Sequence, residues 1–238
     1  MSKPSEFIAL QQLGDHLEGQ VHPVILSYED EYITHHGVGT AFILEHAGKL
    51  FVVSAQHVLD NQRAKPEDLR IRLRKVPVSI VFDRCAVFDP DYEPDFDLLI
   101  LRILESQYDV LIDAGIRWFK TTDSIEIEQQ LRVDIFRIFG YPDAGRAYDY
   151  DNKLLSAVLC SVSGVLVEST LSGLTTLQVL GDRPATFRGM SGSVVIAETD
   201  EEWKFAGMLT LASDVNGLLN FIPAENIVYY LDRLVMMD

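Results

Sequence analysis

The chain has 238 residues, 47% hydrophobic and 24% charged, with a formal net charge of −16. That composition excludes a disordered chain and predicts a soluble globular protein with a sizeable core, in one domain or in two small ones sharing a site. So acidic a chain lacks the positive surface that phosphate backbones demand, which argues against a nucleic-acid partner.

Taken in order, the first element is a short helix expected over residues 4–14. Short apolar or alternating runs rich in β-branched and aromatic residues follow, at 21–28, 37–44, 49–55, 69–73, 76–87 and 97–103. Gly, Pro, Asp and Asn punctuate them. Residues 118–130 break the series with Thr121-Thr122-Asp123-Ser124 and several carboxylates, and read as a crossover. A second series occupies 131–139, 154–169, 174–180, 192–197, 203–211 and 218–222. Many short strands at regular spacing predict a sandwich or a barrel. The chain closes on an expected helix over 223–236. Pro223 suits a first-turn position. Ile227, Leu231, Leu234 and Val235 share one face, which should pack on the outside of the second β unit.

Three residues stand out in the order His, Asp, Ser. His57 follows the apolar run Leu50-Phe51-Val52-Val53-Ser54-Ala55, so the imidazole sits where a strand ends. Asp97 opens the run Leu98-Leu99-Ile100-Leu101. A carboxylate at the mouth of a buried strand is costly unless something donates to it, and an imidazole N–H is a suitable donor. Ser191 lies in Phe187-Arg188-Gly189-Met190-Ser191-Gly192-Ser193. Its glycines permit a tight turn with inward-facing N–H groups, which can hold the charge on an attacked carbonyl. Each residue alone also fits a bland role: a hydrogen-bonded structural His, a solvated strand-start Asp, a glycine-rich turn. The pattern differs from the Gly-x-Ser-x-Gly elbow of α/β-hydrolases, because Ser193 stands where that motif needs Gly.

At these residues the chain resembles the trypsin-like (chymotrypsin-fold) serine peptidases, in particular their bacterial members. Gly37-Val38-Gly39-Thr40-Ala41-Phe42-Ile43 is similar to the family's Gly-x-Gly/Ser-Phe strand. Ser54-Ala55-Gln56-His57-Val58 is similar to its Thr-Ala-Ala-His segment, and Asp97-Leu98-Leu99-Ile100-Leu101 to its Asp-Ile-Ala-Leu-Leu segment. Gly140-Tyr141-Pro142, Phe205-Ala206-Gly207-Met208-Leu209 and Asn220-Phe221-Ile222-Pro223 resemble strands of its second barrel.

The resemblance implies an all-β fold of two six-stranded antiparallel β-barrels with a C-terminal α-helix. Residues 1–19 would be an N-terminal extension, 20–117 the first barrel, 118–130 the crossover, 131–222 the second barrel and 223–238 the helix. It implies a serine endopeptidase with Ser191 as nucleophile, His57 as general base and Asp97 as its orienting partner. The N–H groups of Gly189 and Ser191 would form the oxyanion hole, and Thr210 would support Asp97. Ala185 would sit at the base of the substrate pocket with Ala212 and Leu218 on its walls, favouring a small or apolar side chain. Met190 departs from the pattern: secreted zymogen-derived members carry there an Asp that pairs with a newly cut N-terminus. No such activation site is present near the start, so another contact must hold the oxyanion loop. The alternative is a peptide-binding or scaffold module of little turnover on the same fold.

The partners expected are a protein or peptide substrate and a regulatory protein. No stretch approaches the length of a membrane span, so no membrane partner is expected. The first residues lack a signal-peptide core, which points to the cytoplasm. Cys85 and Cys160 are too few for a disulfide framework and read as buried small hydrophobes. No Cys/His cluster has metal-ligand spacing and no phosphate-binding loop is visible, so no metal or other cofactor is expected. The carboxylates between Asp89 and Asp97 read as a solvated acidic loop, and Arg70, Arg72 and Arg74 as a solvated strand face.

Overall fold

The computed structural model describes residues 17, 19–27, 35–72, 77–78, 80, 82–85, 97–149, 154–199 and 202–237. The helix expected over 4–14 and most of the acidic loop before Asp97 lie outside the described residues.

The first half is one sheet. Its strands are β1 (Val21–Ser27), β2 (His35–His46), β3 (Lys49–Ser54), β4 (Leu69–Arg72), β5 (Pro77–Val78), β6 (Phe82–Cys85), β7 (Leu99–Ile103) and β8 (Phe119–Lys120). They run in the order β5-β4-β1-β2-β3-β7-β6, with β8 pairing in parallel with β2. The sheet curls into a half-barrel, and among the described residues its two edges are not joined. Short α1 (His57–Asp60) follows β3, and α2 (Tyr108–Asp113) follows β7.

The second half holds α3 (Ile127–Gln130), β9 (Ile135–Gly140), β10 (Ala147–Asp149), β11 (Leu154–Ser156), β12 (Cys160–Val167), β13 (Thr175–Leu180), β14 (Val194–Glu198), β15 (Trp203–Ala212) and β16 (Leu218–Pro223). Six of these close an antiparallel barrel in the order β12-β13-β16-β15-β14-β9. The run expected at 154–169 divides, because β11 pairs with β10 in a separate two-stranded ribbon. The last helix, α4 (Ala224–Met236), starts one residue later than expected, with Pro223 as its extended N-cap.

Strand alternation sorts the side chains into two cores. Along β14, Val195 and Ala197 point into the barrel with Phe136, Leu177, Leu219 and Phe221. Val194 and Ile196 point out and join Phe205, Met208 and Ile222 against Phe42, Phe51 and Leu101 of the first sheet. The outer face of the closed barrel is therefore the floor on which the curled sheet sits. Ile227, Leu231 and Leu234 of α4 belong to that shared core, so the helix braces both halves rather than the second alone. Its Asp232 accepts a hydrogen bond from His46 Nε2 (2.8 Å), and the other ring nitrogen of His46 pairs with Thr121 Oγ1 (2.9 Å).

The cysteines depart from the expectation. Both are free, Cys85 is exposed and Cys160 only half-buried. Cys85 belongs to β6, the last strand in the sheet's order among the described residues. No helix among the described residues is long and apolar enough to cross a membrane.

Candidate active site

His57 and Asp97 meet because of strand register. Antiparallel β3 and β7 place Ser54 opposite Leu99. Carrying that register two residues further sets Gln56 opposite Asp97, so the first turn of α1 lies beside the carboxylate. Asp97 Oδ1 accepts from the His57 backbone N–H (2.7 Å), and Oδ2 accepts from His57 Nδ1. A third donor reaches across from the barrel: Thr210 Oγ1 donates to Oδ2 at 2.6 Å. Thr210 sits where the β15–β16 register slips between Leu209 and Leu211. Such an irregularity re-aims a side chain, here out of the barrel and toward the first sheet.

An ionised carboxylate only accepts, so Nδ1 carries the proton and Nε2 presents its lone pair. The hydrogen bond from His57 to Asp97 is also the main reason the imidazole pKa is raised above its ordinary 6.5; burial opposes the shift, and the Asp97 and Asp60 charges add to it. A raised histidine pKa favours the fold below pH 6.5, and that contribution fades as pH climbs through the folded value.

Ser191 lies on the loop entering β14. Its carbonyl accepts from Thr40 N (2.9 Å), which ties the loop to β2. Gly192 has φ +87°, and a Cβ there would run into the Thr40 carbonyl, so only glycine fits. Ser191 and His57 line one groove of about 150 Å³, together with Val38, Gln62, Asp143 and Arg188. Ser193, the neighbouring hydroxyl, is fully buried. Among the described residues no hydrogen bond joins Ser191 Oγ to the imidazole.

The loop's amides are oriented by the carbonyls that share their peptide planes. In a trans peptide, C=O and N–H point to opposite sides. Arg188 O accepts from Asp143 N (2.8 Å), and Met190 O accepts from Ser193 N (2.9 Å). The N–H groups of Gly189 and Ser191 must therefore point the other way, and among the described residues neither meets a protein acceptor. Two such donors side by side can hold an oxyanion. Met190 and Phe187 are buried in the barrel core and anchor the loop by apolar packing.

Ala185 and Ala212 are exposed and Leu218 half-buried, and none of them lines the groove beside His57. The wall near Ala185 is held by Asp214, whose Oδ1 accepts from Phe187 N (2.7 Å) and Oδ2 from Thr186 Oγ1 (2.8 Å). Those bonds hold the Asp214 carboxyl below the usual carboxylate range. Among the described residues no group of three His, Cys, Asp or Glu gathers as a metal would need.

Sequence reading passed over Thr40, Asp143 and Arg146, which hold the Ser191 loop. For Asp143 the local signal was Gly140-Tyr141-Pro142, marking a strand end just before it, and Thr40 lies inside the run 37–43. No protein-family model matches the chain, and no curated protein matches it either.

Proposed function

We propose that the chain is a trypsin-like serine endopeptidase, hydrolysing peptide bonds through an acyl-enzyme on Ser191, and that its two β units are the two barrels of that family. The observation that carries this reading is the grip on Asp97. One carboxylate accepts from His57 N, His57 Nδ1 and Thr210 Oγ1, so the imidazole is fixed in the tautomer that leaves Nε2 able to take a proton.

In the reading, Ser191 Oγ bonds to the scissile carbonyl carbon while His57 Nε2 takes its proton. The carbonyl oxygen, now anionic, accepts from the N–H groups of Gly189 and Ser191. Asp97 stabilises the imidazolium, which then gives its proton to the departing amine. Water repeats the sequence on the acyl-enzyme with the same base. A small or apolar residue would precede the cut bond, on the resemblance's assignment of Ala185, Ala212 and Leu218 to the pocket, outside the groove that His57 and Ser191 line. The two free thiols suit a reducing cytoplasm, and partial desolvation pushes both up, with the Glu67 charge adding to it at the exposed Cys85, away from thiolate reactivity.

The second reading, a peptide-binding module of little turnover, draws on the unmade bond between Ser191 Oγ and His57. Catalytic hydrogen bonds are often long in the absence of substrate, so an unmade bond is compatible with the first reading as well. A fluorescent fluorophosphonate separates the two. Wild type should be labelled, and Ser191→Ala should lose both labelling and peptide cleavage. Folded wild type that binds peptides but takes no label would establish the module instead.

A further inference from the structure

With Met190 buried in the barrel core, the Ser191 loop offers no carboxylate of its own for a cation to hold. A cation nevertheless sits under it. The Arg146 side chain is only 2% exposed, and its Nη1 lies 3.1 Å from Asp143 Oδ1. Its Nη2 donates to three carbonyls: Gly39 at 2.8 Å, Tyr141 at 2.7 Å and Gly189 at 3.3 Å. These belong to β2, to the residue that follows β9 and to the Ser191 loop. Thr40 works beside it, donating from Oγ1 to Gly189 O (3.0 Å) and accepting from Tyr141 N (2.9 Å).

We propose that Arg146 is a positioning residue: its guanidinium, paired with Asp143, holds the 188–189 peptide so that the Gly189 N–H faces a developing oxyanion. This rests on the serine-peptidase reading and names what keeps that site in order. The chain of cause is short. Asp143 N–H holds Arg188 O, and that bond decides which way the Gly189 N–H points. The Asp143 carboxylate in turn forms an ion pair with the Arg146 guanidinium. The opposite oxygen of Asp143 meets Arg188 Nε at 3.0 Å, but that side chain is 80% exposed and such a pair contributes little. A planar guanidinium can serve a carboxylate and several carbonyls at once, whereas an ammonium is a single point charge. A loop set by an internal cation is competent as soon as the chain folds.

The test compares wild type with Arg146→Ala, Arg146→Lys and Asp143→Asn in the full chain. Two measurements are made: kcat and KM on an activated peptide ester, and amide hydrogen exchange. In Arg146→Ala, kcat should fall about 10²–10³-fold, the cost of losing an oxyanion donor, with KM changed far less. Exchange should quicken at Met190, Gly192 and Ser193 while β3 and β7 keep their protection. Arg146→Lys should recover little, and Asp143→Asn should move both readouts in the same direction by less. Should Arg146→Ala fail to fold, the other two variants decide. Unchanged kcat with unchanged loop exchange overturns the proposal. So does exchange that quickens equally through both halves, since that marks a merely structural arginine. If wild type proves inert, the peptidase reading falls, and loop exchange alone still decides whether Arg146 orders residues 187–192.

Discussion

The two walls of the groove are held by different chemistry. On the His57 wall a side-chain carboxylate gathers three donors, one of them from the other half of the molecule. On the Ser191 wall most loop carbonyls are held by peptide groups, Thr40 N, Asp143 N and Ser193 N, while Gly189 O is held from beneath by Arg146 Nη2 and Thr40 Oγ1. The first wall depends on charge and should respond to single-atom changes and to pH. The second depends on peptide orientation set from beneath by a buried arginine, and should respond to changes beneath the loop.

Asp97→Asn breaks the first wall most directly. Steady-state rates should fall about 10⁴-fold, because the amide no longer fixes the imidazole tautomer. Loop exchange at 190–193 should stay as in wild type. An equal loss of order on both walls would mean that they are one unit.

The Thr210 hydroxyl gives a smaller effect. A hydrogen bond to a charged group contributes about 1.5–3 kcal/mol. Thr210→Val should therefore lower kcat roughly tenfold to a hundredfold while leaving the fold intact. No change in rate would show that the other two donors to Asp97 suffice.

The pH profile sharpens the contrast with the least perturbation. His57 must be neutral to act as base, and Asp97 raises its pKa. The acid limb of kcat/KM should thus lie above pH 6.5 in wild type and move down in Asp97→Asn. Arg146→Ala should lower the plateau without moving the limb, since Arg146 acts on the other wall.

Much of this was legible in the sequence where neighbours in the chain share a fate. Lys49–Ser54 and Val194–Glu198 are strands as their apolar runs require, and α4 shows its buried stripe at helical spacing. Helix α2 was missed because Leu111 alone is buried, while Val110 and Ile112 are exposed, so no stripe marks it. In the site, His57 and Asp97 could be singled out because each sits at the end of an apolar run. Arg146 could not. Nothing near it in sequence says that its side chain is buried, and its partners Gly39 and Gly189 are far away in the chain. Long-range polar contacts leave no periodicity to read.

The central claim is that His57 activates Ser191 and no other hydroxyl, and mapping a fluorophosphonate adduct tests it most directly. Trypsin should release residues 189–204 as one peptide carrying both Ser191 and Ser193. The account predicts the adduct on Ser191 in wild type and its loss in His57→Ala. An adduct on Ser193, one on Ser191 undiminished in His57→Ala, or none on folded wild-type protein would contradict it.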